Sequence, residues 1–214
     1  MDPSPNIITL QPQQRDRARE VIVRAFRNDP LLPHLTRDVR FQTRLLHWFS
    51  RLGIKYGEGY GQVYTTPEVA GVAIWFVPGR PSPAAASILG DAVWLPLQVG
   101  CRCFWRFFRF VGLADRVHRG IISGDHWHLF ILVVDPEHQG QGWGSELLRP
   151  VLAQADDLGQ ACYLETTNPR AVPFYQKHGF NIAHHSVLGP GGPDFWGLLR
   201  NPAAIPGETA GDKE

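Results

Sequence analysis

The strongest constraint on the fold is a strand, a polar turn and a glycine-rich loop that follow one another directly. The run over residues 129–134 is apolar throughout, and the turn at 135–139 is polar and contains a proline. Glycines at 140, 142 and 144 come next and lead into a segment with helical spacing. Glycine lets a backbone approach a ligand closely, and the first amides of a helix have no partner inside it. This succession predicts an anion site at the start of the helix, suited to a pyrophosphate.

The bulk composition fits one intracellular domain. The 214-residue chain is 43% hydrophobic and 19% charged, which is enough apolar material for a core. Its formal net charge of +1 gives no field that favours nucleic acid or an anionic membrane as a partner. The chain begins with a charged segment, has three cysteines, and interrupts its apolar stretch at 84–99 with Asp91 and Pro96. We therefore predict a cytoplasmic protein with one domain over residues 1–200 and a disordered tail over 201–214.

The spacing of apolar residues divides the chain into helices and strands. It predicts helices over residues 13–27, 41–56, 101–111, 142–158 and 169–178. It predicts strands over residues 62–65, 69–77, 126–134, 161–165, 180–188 and 195–199. A turn is expected around Gly57, Gly59 and Gly61, and Thr66-Pro67-Glu68 indicates a hairpin between the first two strands.

Residues 82–120 form a helical insertion whose role stays open. Its segment 101–111 is rich in aromatic residues and arginines. It fits a packed helix with arginines that extend to water, a wall of a substrate pocket or, with weaker support, a surface-binding amphipathic helix. Cys101 and Cys103 are expected in the core, because no Cys/His pair follows at the spacing of metal ligands, and no metal site is predicted. Cys162 is expected to pack in a strand.

A second motif follows the next strand, and the two motifs together resemble the GCN5-related N-acetyltransferase (GNAT) family over residues 126–180. The acetyl-CoA loop of that family has the pattern Arg/Gln-x-x-Gly-x-Gly/Ala, which Gln139, Gly142 and Gly144 match. The later signature is Asn-x-x-Ala-x-x-Phe-Tyr-x-x-x-Gly-Phe. It is matched by Asn168, Ala171, Phe174, Tyr175, Gly179 and Phe180. Within the family, residues 73–79, 163–166 and 173–175 look most like the puromycin-type small-molecule acetyltransferases.

The resemblance implies an α/β fold with a mixed, mostly antiparallel sheet flanked by helices, in which two parallel strands splay apart. It implies acetyl-CoA as cosubstrate, with its pantothenate arm paired to Leu132, Val133 and Val134 and its pantetheine arm hydrogen-bonded to Asn168. The pyrophosphate then lies on the loop. The loop residues are Gln139, Gly140, Gln141, Gly142, Trp143, Gly144 and Ser145. Many relatives have arginine where this chain has Gln139, which brings hydrogen-bond donors and no charge.

Acetyl transfer to an amine requires a neutral amine, donors for the oxyanion and a proton for the departing thiolate. The resemblance gives the acid role to Tyr175, because the tyrosine of the family at this place lies beside the thioester sulfur. It gives the oxyanion donor as a backbone N–H of Val133 or Val134.

The base is left open by the sequence. His128 and Glu165 are equal candidates, and a backbone carbonyl with a chain of water molecules is an alternative. Asp125 and His126 are less favoured. Strand alternation predicts that the side chains of residues 126, 128, 130 and 132 share one face.

These features predict an acetyl-CoA-dependent N-acetyltransferase that acts on the primary amine of a small molecule. We expect a monomer or homodimer, with no nucleic-acid or membrane partner. One alternative is a non-catalytic acyl-CoA-binding module. The other is a dinucleotide-dependent oxidoreductase, since Gly140-x-Gly142-x-x-Ser145 approaches a dinucleotide fingerprint and Glu165 lies about twenty residues on. The polar turn between strand and glycines argues against that alternative.

Overall fold

The computed structural model describes residues 7–80 and 90–203. The predictions for the start of the insertion at 82–89 and for the tail at 204–214 lie outside these residues. Within the described part of the chain, no helix is long and apolar enough to cross a membrane.

A seven-stranded sheet with helices on both faces forms the body of the protein. The strands are β1 (Ile8–Thr9), β2 (Gly61–Thr65), β3 (Gly71–Phe76), β4 (Trp127–Val134), β5 (Cys162–Thr166), β6 (Asn181–Val187) and β7 (Asp194–Arg200). The helices are α1 (Arg15–Phe26), α2 (Leu31–Leu35), α3 (Val39–Tyr60), α4 (Leu95–Val99), α5 (Cys101–Ile121), α6 (Trp143–Asp157) and α7 (Val172–Lys177). The strand order is β1-β2-β3-β4-β5-β7-β6, with β4 and β5 parallel and the other neighbours antiparallel. The predicted fold class and the hairpin between β2 and β3 are confirmed.

The parallel strands β4 and β5 separate partway along β4. They pair only where Trp127–Leu129 face Cys162–Leu164. Beyond that point β4 continues to Val134 with β3 on its other edge. Its edge towards β5 has no strand partner there, so the sheet opens into the V that was expected.

A β-bulge in β4 changes which face each side chain occupies. Ile74 pairs with Ile131 while Trp75 pairs with Leu129, so Phe130 is an extra residue. Leu129 belongs to the core beneath α6, whereas Ile131 belongs to the core beneath α1 and α3. Leu132 packs on the α6 side while Phe130 packs on the other. The prediction that residues 126, 128, 130 and 132 share one face is therefore wrong for Leu132, because the bulge interrupts the alternation.

The structure corrects two predicted helix boundaries. Helix α3 runs through Gly57 and Gly59, where a turn was predicted. A Cβ at Gly57 would lie 2.5 Å from Ile74 Cγ2, so this glycine lets the helix approach the sheet. Helix α7 begins at Val172, with Pro173 in its first turn, whereas the sequence placed Pro169 there.

The insertion helix α5 packs against the sheet on the face opposite α6. Cys103 and Phe107 are buried, whereas the arginines at 102, 106 and 109 are exposed, which confirms the packed helix with arginines in water. Cys162 is buried in β5 as expected. Cys101 is exposed at the first position of α5, so its assignment to the core was wrong.

Candidate active site

The glycine-rich loop presents unpaired amides at the start of α6. Gly140 and Gly142 have φ angles of +78° and +86°, a backbone region that favours glycine. Within the described residues, the backbone amides of residues 140–144 make no hydrogen bond, whereas the Ser145 amide donates to the Gly142 carbonyl at 3.0 Å. A Cβ at Gly144 would lie 3.2 Å from the Phe174 ring. This backbone fits the pyrophosphate of a CoA cosubstrate, since unpaired amides at a helix start attract anions.

A buried carboxylate holds the turn that leads into this loop. Asp135 has no exposed surface and accepts hydrogen bonds from Arg17 at 3.0 Å and from Glu137 N at 3.2 Å. Arg24 lies 3.2 Å from Oδ1, the oxygen that also accepts from Glu137 N, whereas Arg17 donates to Oδ2. Because both arginines belong to α1, this helix fixes the end of β4 and the loop behind it.

Gln139 points back to the strand in this structure. Its side-chain amide donates to the Val134 carbonyl at 3.2 Å, and Gln141 accepts from Trp143 Nε1 at 3.2 Å. The donors that the loop offers are therefore main-chain amides, and Gln139 adds neither a charge nor a side-chain donor to them.

The turn after β5 carries Asn168. Its Oδ1 accepts from the Arg170 amide at 3.0 Å, and its side-chain NH2 has no partner among the described residues. The neighbouring Thr167 donates to Asp29 at 3.0 Å, and burial raises the pKa of this aspartic acid. The amide of Asn168 thus remains a free donor on a turn that is tied to the start of α2.

The two candidate bases form one hydrogen-bonded pair. His128 Nε2 lies 2.8 Å from Glu165 Oε2, and the two side chains are 16% and 17% exposed. They meet because β4 and β5 are still close at this level, just before the splay opens. The choice that the sequence left open is thus between partners that contact each other.

The insertion adds a histidine that the sequence analysis missed. His118 of α5 stacks on Tyr163 with ring centres 4.3 Å apart, and its ring centre lies 4.6 Å from that of His128. Burial, and then the neighbouring His128, lower the pKa of His118 to about 4. The sequence spacing could have placed His118 on the buried face of α5. It follows the buried Phe107 by eleven residues, which is about three helical turns, so the two side chains lie on the same face.

Tyr163 lies at the centre of this cluster. It is fully buried, and its hydroxyl makes no well-formed hydrogen bond among the described residues. Burial, followed by the charge and the close approach of the Glu165 carboxylate, raises its pKa. Gly197 of β7 lies beside it: a Cβ there would be 2.6 Å from Ile121 Cδ1 and 3.2 Å from the Tyr163 hydroxyl. Glycine at this position allows α5 to lie directly on the sheet.

A match to a family model identifies the family of this chain. The model described as the acetyltransferase (GNAT) family matches residues 43–180, well over half of the chain. The chain belongs to the GNAT family. As a GNAT protein it is an N-acetyltransferase, and the family supports acetyl transfer to an amine. The puromycin-type subgroup is not supported by the comparisons.

Relatives of this GNAT protein carry related names. An uncharacterized N-acetyltransferase from Schizosaccharomyces pombe is 28% identical over 173 residues, which cover 77% of this chain and 69% of the yeast protein. A mycothiol acetyltransferase from Acidimicrobium ferrooxidans is 34% identical over 83 residues, or 37% of this chain and 27% of that protein.

Solved structures share the fold. A histone acetyltransferase HPA2-related protein from Corynebacterium glutamicum has a TM-score of 0.65 at 21% identity, over 95% of this chain and 99% of the other. Arylalkylamine N-acetyltransferase 2 from Aedes aegypti has a TM-score of 0.64 at 16% identity, over 94% and 100% of the two chains.

In this GNAT fold, Tyr175 lies on the opposite face of the sheet from the histidines. It is 8% exposed in the core beneath α6, with its ring centre 5.9 Å from that of Phe180. Burial raises the pKa of its phenol, so the group keeps its proton at neutral pH. The face of Tyr175 and the face of His128 and Glu165 meet where β4 and β5 separate.

The two less favoured candidate bases lie away from Glu165. His126 Nδ1 is 2.8 Å from the Gly124 carbonyl and its Nε2 is 2.7 Å from His118 Nε2, so it contacts the cluster through His118. Asp125 is exposed in the loop before β4.

Partly buried aromatic rings extend the cluster along the α3 side. Phe76 lies 5.9 Å from His128 and 5.1 Å from Phe130, measured between ring centres. Phe49 of α3 lies 5.5 Å from Phe130. An acceptor that reaches His128 from this side meets an apolar aromatic wall.

Proposed function

We propose that this protein uses acetyl-CoA to acetylate the primary amine of a small molecule. The observation that carries the proposal is the splay between β4 and β5. It opens between the unpaired amides of the loop and the hydrogen-bonded pair of His128 and Glu165. A thioester carrier placed along this gap has its phosphates at one end and a proton acceptor at the other.

Binding of the cosubstrate follows from donors and acceptors at the splay, except that the Val134 carbonyl already accepts from Gln139 and the Ser145 amide already donates to Gly142. The open edge of β4 at Leu132, Val133 and Val134 offers main-chain groups to the pantothenate arm. Asn168 donates to the pantetheine arm. The loop from Gln139 to Ser145 holds the pyrophosphate through its amides.

The chemistry is a direct transfer. The amine nitrogen forms a bond to the thioester carbon, its proton passes to the pair of His128 and Glu165, and the carbon–sulfur bond then breaks. An amide of Val133 or Val134 donates to the oxyanion. Tyr175 gives its proton to the departing thiolate and regains one from solvent, to which the pair of His128 and Glu165 releases the proton of the amine.

The acceptor class follows from the wall of the site. The rings of Phe49, Phe76 and Phe130 favour an amine on a compact apolar body over an extended polar peptide. Structures with the same fold include an arylalkylamine N-acetyltransferase and an agmatine N-acetyltransferase, both named for small amines. The likeness of residues 163–166 and 173–175 to puromycin-type enzymes points in the same direction.

The test is release of CoA thiol from acetyl-CoA over a panel of small amines and N-terminal peptides. We expect turnover with at least one small amine that carries an aromatic or aliphatic body, and none with the peptides. Turnover with peptides alone contradicts the acceptor class. Acetyl-CoA binding without turnover on any acceptor supports the non-catalytic module, and binding of NADH in its place supports the oxidoreductase.

A further inference from the structure

His118, His128 and Glu165 form a compact cluster of metal-binding side chains. One donor atom from each lies within 4.8 Å of one donor atom from each of the others. We propose that this cluster binds a divalent transition ion of the zinc class, and that a bound ion inhibits acetyl transfer by occupying the proton acceptor. Binding is independent of the proposed function, whereas the inhibition rests on it.

The donor set matches the ion. Two imidazoles and one carboxylate are the ligands of zinc sites that keep an open coordination position. A tetrahedral ion with bonds of about 2.1 Å holds its ligands about 3.4 Å apart, so the donors must approach by at most about 1.4 Å. Rotation of the Glu165 carboxylate and small ring movements can provide such a change.

The hydrogen bonds around His118 leave one of its nitrogens ready to bind. His126 Nδ1 lies 2.8 Å from the Gly124 carbonyl, so this nitrogen carries a proton and Nε2 of the same ring is an acceptor. His118 Nε2, 2.7 Å away, therefore donates to His126, and the lone pair of His118 is on Nδ1. An imidazole held in this way through its other nitrogen is typical of zinc ligands.

The buried phenol of Tyr163 is a second observation at the same place. Its hydroxyl is fully buried and makes no well-formed hydrogen bond among the described residues, with the Glu165 carboxylate as a close neighbour. A buried polar group without a well-formed hydrogen bond is a place where a water molecule or an ion commonly completes the set of partners. A water molecule on a metal ion bound beside Glu165 would provide that partner.

The ligands come from three different elements, α5, β4 and β5, and are held firmly. His128 and Glu165 lie on paired strands, and His118 is held by its stacking on Tyr163, at 4.3 Å and an interplanar angle of 8°. Exposures of 16% and 17% leave His128 and Glu165 accessible to an ion while shielding them from bulk water. Little ordering is therefore needed on binding.

The experiment is a titration of the purified full-length chain with Co(II), followed by competition with Zn(II). We expect one equivalent of Co(II) to give the visible absorption of a tetrahedral site, and Zn(II) to abolish it. His118→Asn should weaken Zn(II) binding in calorimetry by at least about tenfold, and His126→Gln, which removes an outer partner, by about tenfold. Circular dichroism checks that each variant is folded.

Matched controls separate this site from other surface donors. Cys101 is an exposed thiol, and His185 pairs with Asp194 at 2.8 Å on the far edge of the sheet. Cys101→Ser and His185→Gln should bind Zn(II) as the wild type does. Loss of binding in either control with retention in His118→Asn overturns the proposal, as does the absence of stoichiometric binding.

Inhibition is read separately from binding. Zn(II) should inhibit turnover of the wild type at the concentration at which it binds, and EDTA should restore it. If Zn(II) binds through His118 and turnover is unaffected, the metal site stands and His128 with Glu165 is not the proton acceptor. If turnover falls equally in the wild type and in His118→Asn, inhibition through this cluster is excluded.

Discussion

The two faces of the sheet at the splay differ in how they are built. The α6 face contributes main-chain amides and one buried phenol, all within residues 140–175. The α5 face contributes side chains from three segments, with His118, His128 and Glu165 brought together across the sheet. The proposed cosubstrate site thus depends on local backbone conformation, while the proposed proton acceptor depends on packing between different elements. Substitutions on the α6 face at the loop should therefore weaken acetyl-CoA binding, whereas substitutions on the α5 face should lower kcat.

The largest effect is expected from Gly142→Asp. A side chain at a φ of +86° is strained, and a carboxylate at the loop repels phosphates, so acetyl-CoA binding in calorimetry should become undetectable. Gly159 also has a positive φ, +62°, with open space around it, and lies at the other end of α6. Gly159→Asp therefore carries similar strain and should keep acetyl-CoA affinity. Equal loss in both variants would mean that strain, and not the phosphate site, is responsible.

Tyr175→Phe should lower kcat by about 100-fold, because a general acid contributes factors of this size. The KM for acetyl-CoA should change little, since the ring still fills the core beneath α6. Tyr64→Phe removes a hydroxyl that donates to Gln62 and serves as the control. An unchanged kcat for Tyr175→Phe removes it as the acid.

The pair on the α5 face is tested by a double-mutant cycle. His128→Gln and Glu165→Gln should each lower kcat by about 30-fold, and the double variant by little more, since the effects of residues that act as a unit are not additive. Acetyl-CoA affinity should stay near the wild-type value in all three. Multiplicative losses would show that the two side chains act independently, and loss of acetyl-CoA affinity would remove the distinction between the faces.

Gly197→Ala should lower the free energy of unfolding by about 1–3 kcal/mol, because the new methyl group meets Ile121 and the Tyr163 hydroxyl. Urea denaturation measures this. Gly112 lies in α5 with open space around it, so Gly112→Ala should raise stability by up to about 1 kcal/mol. If Gly197→Ala and Gly112→Ala lowered the free energy of unfolding equally, the contact of residue 197 with α5 would not be the cause of the loss.

The parts of the site that the sequence predicted are those encoded in contiguous residues. The loop at 139–145, the turn with Asn168 and the short helix with Tyr175 lie where their motifs placed them, because glycine, proline and helix-start preferences act locally. The parallel strands and their splay followed from the family resemblance. The roles of these residues in binding and catalysis stay predictions.

The rest depends on contacts between distant segments. Phe130 is a bulge only because of its pairing with β3, and Gly57 continues a helix only because Ile74 lies against it. His118 joins the site because α5 lies over Gly197, which follows the end of α5 by 76 residues, with three strands and two helices between them. Local conformational preferences of the sequence therefore could not predict these contacts.

The glycine in the middle of β7 also gives a way to read related sequences. A bulky residue at position 197 and a helix placed as closely as α5 compete for the same space, since a Cβ there would already lie 2.6 Å from Ile121 Cδ1 and 3.2 Å from the Tyr163 hydroxyl. A homologue with a bulky residue at this position must hold its covering segment further out, and its acceptor pocket is then deeper. The residue type at position 197 in an alignment would therefore separate family members with a shallow acceptor pocket from those with a deeper one.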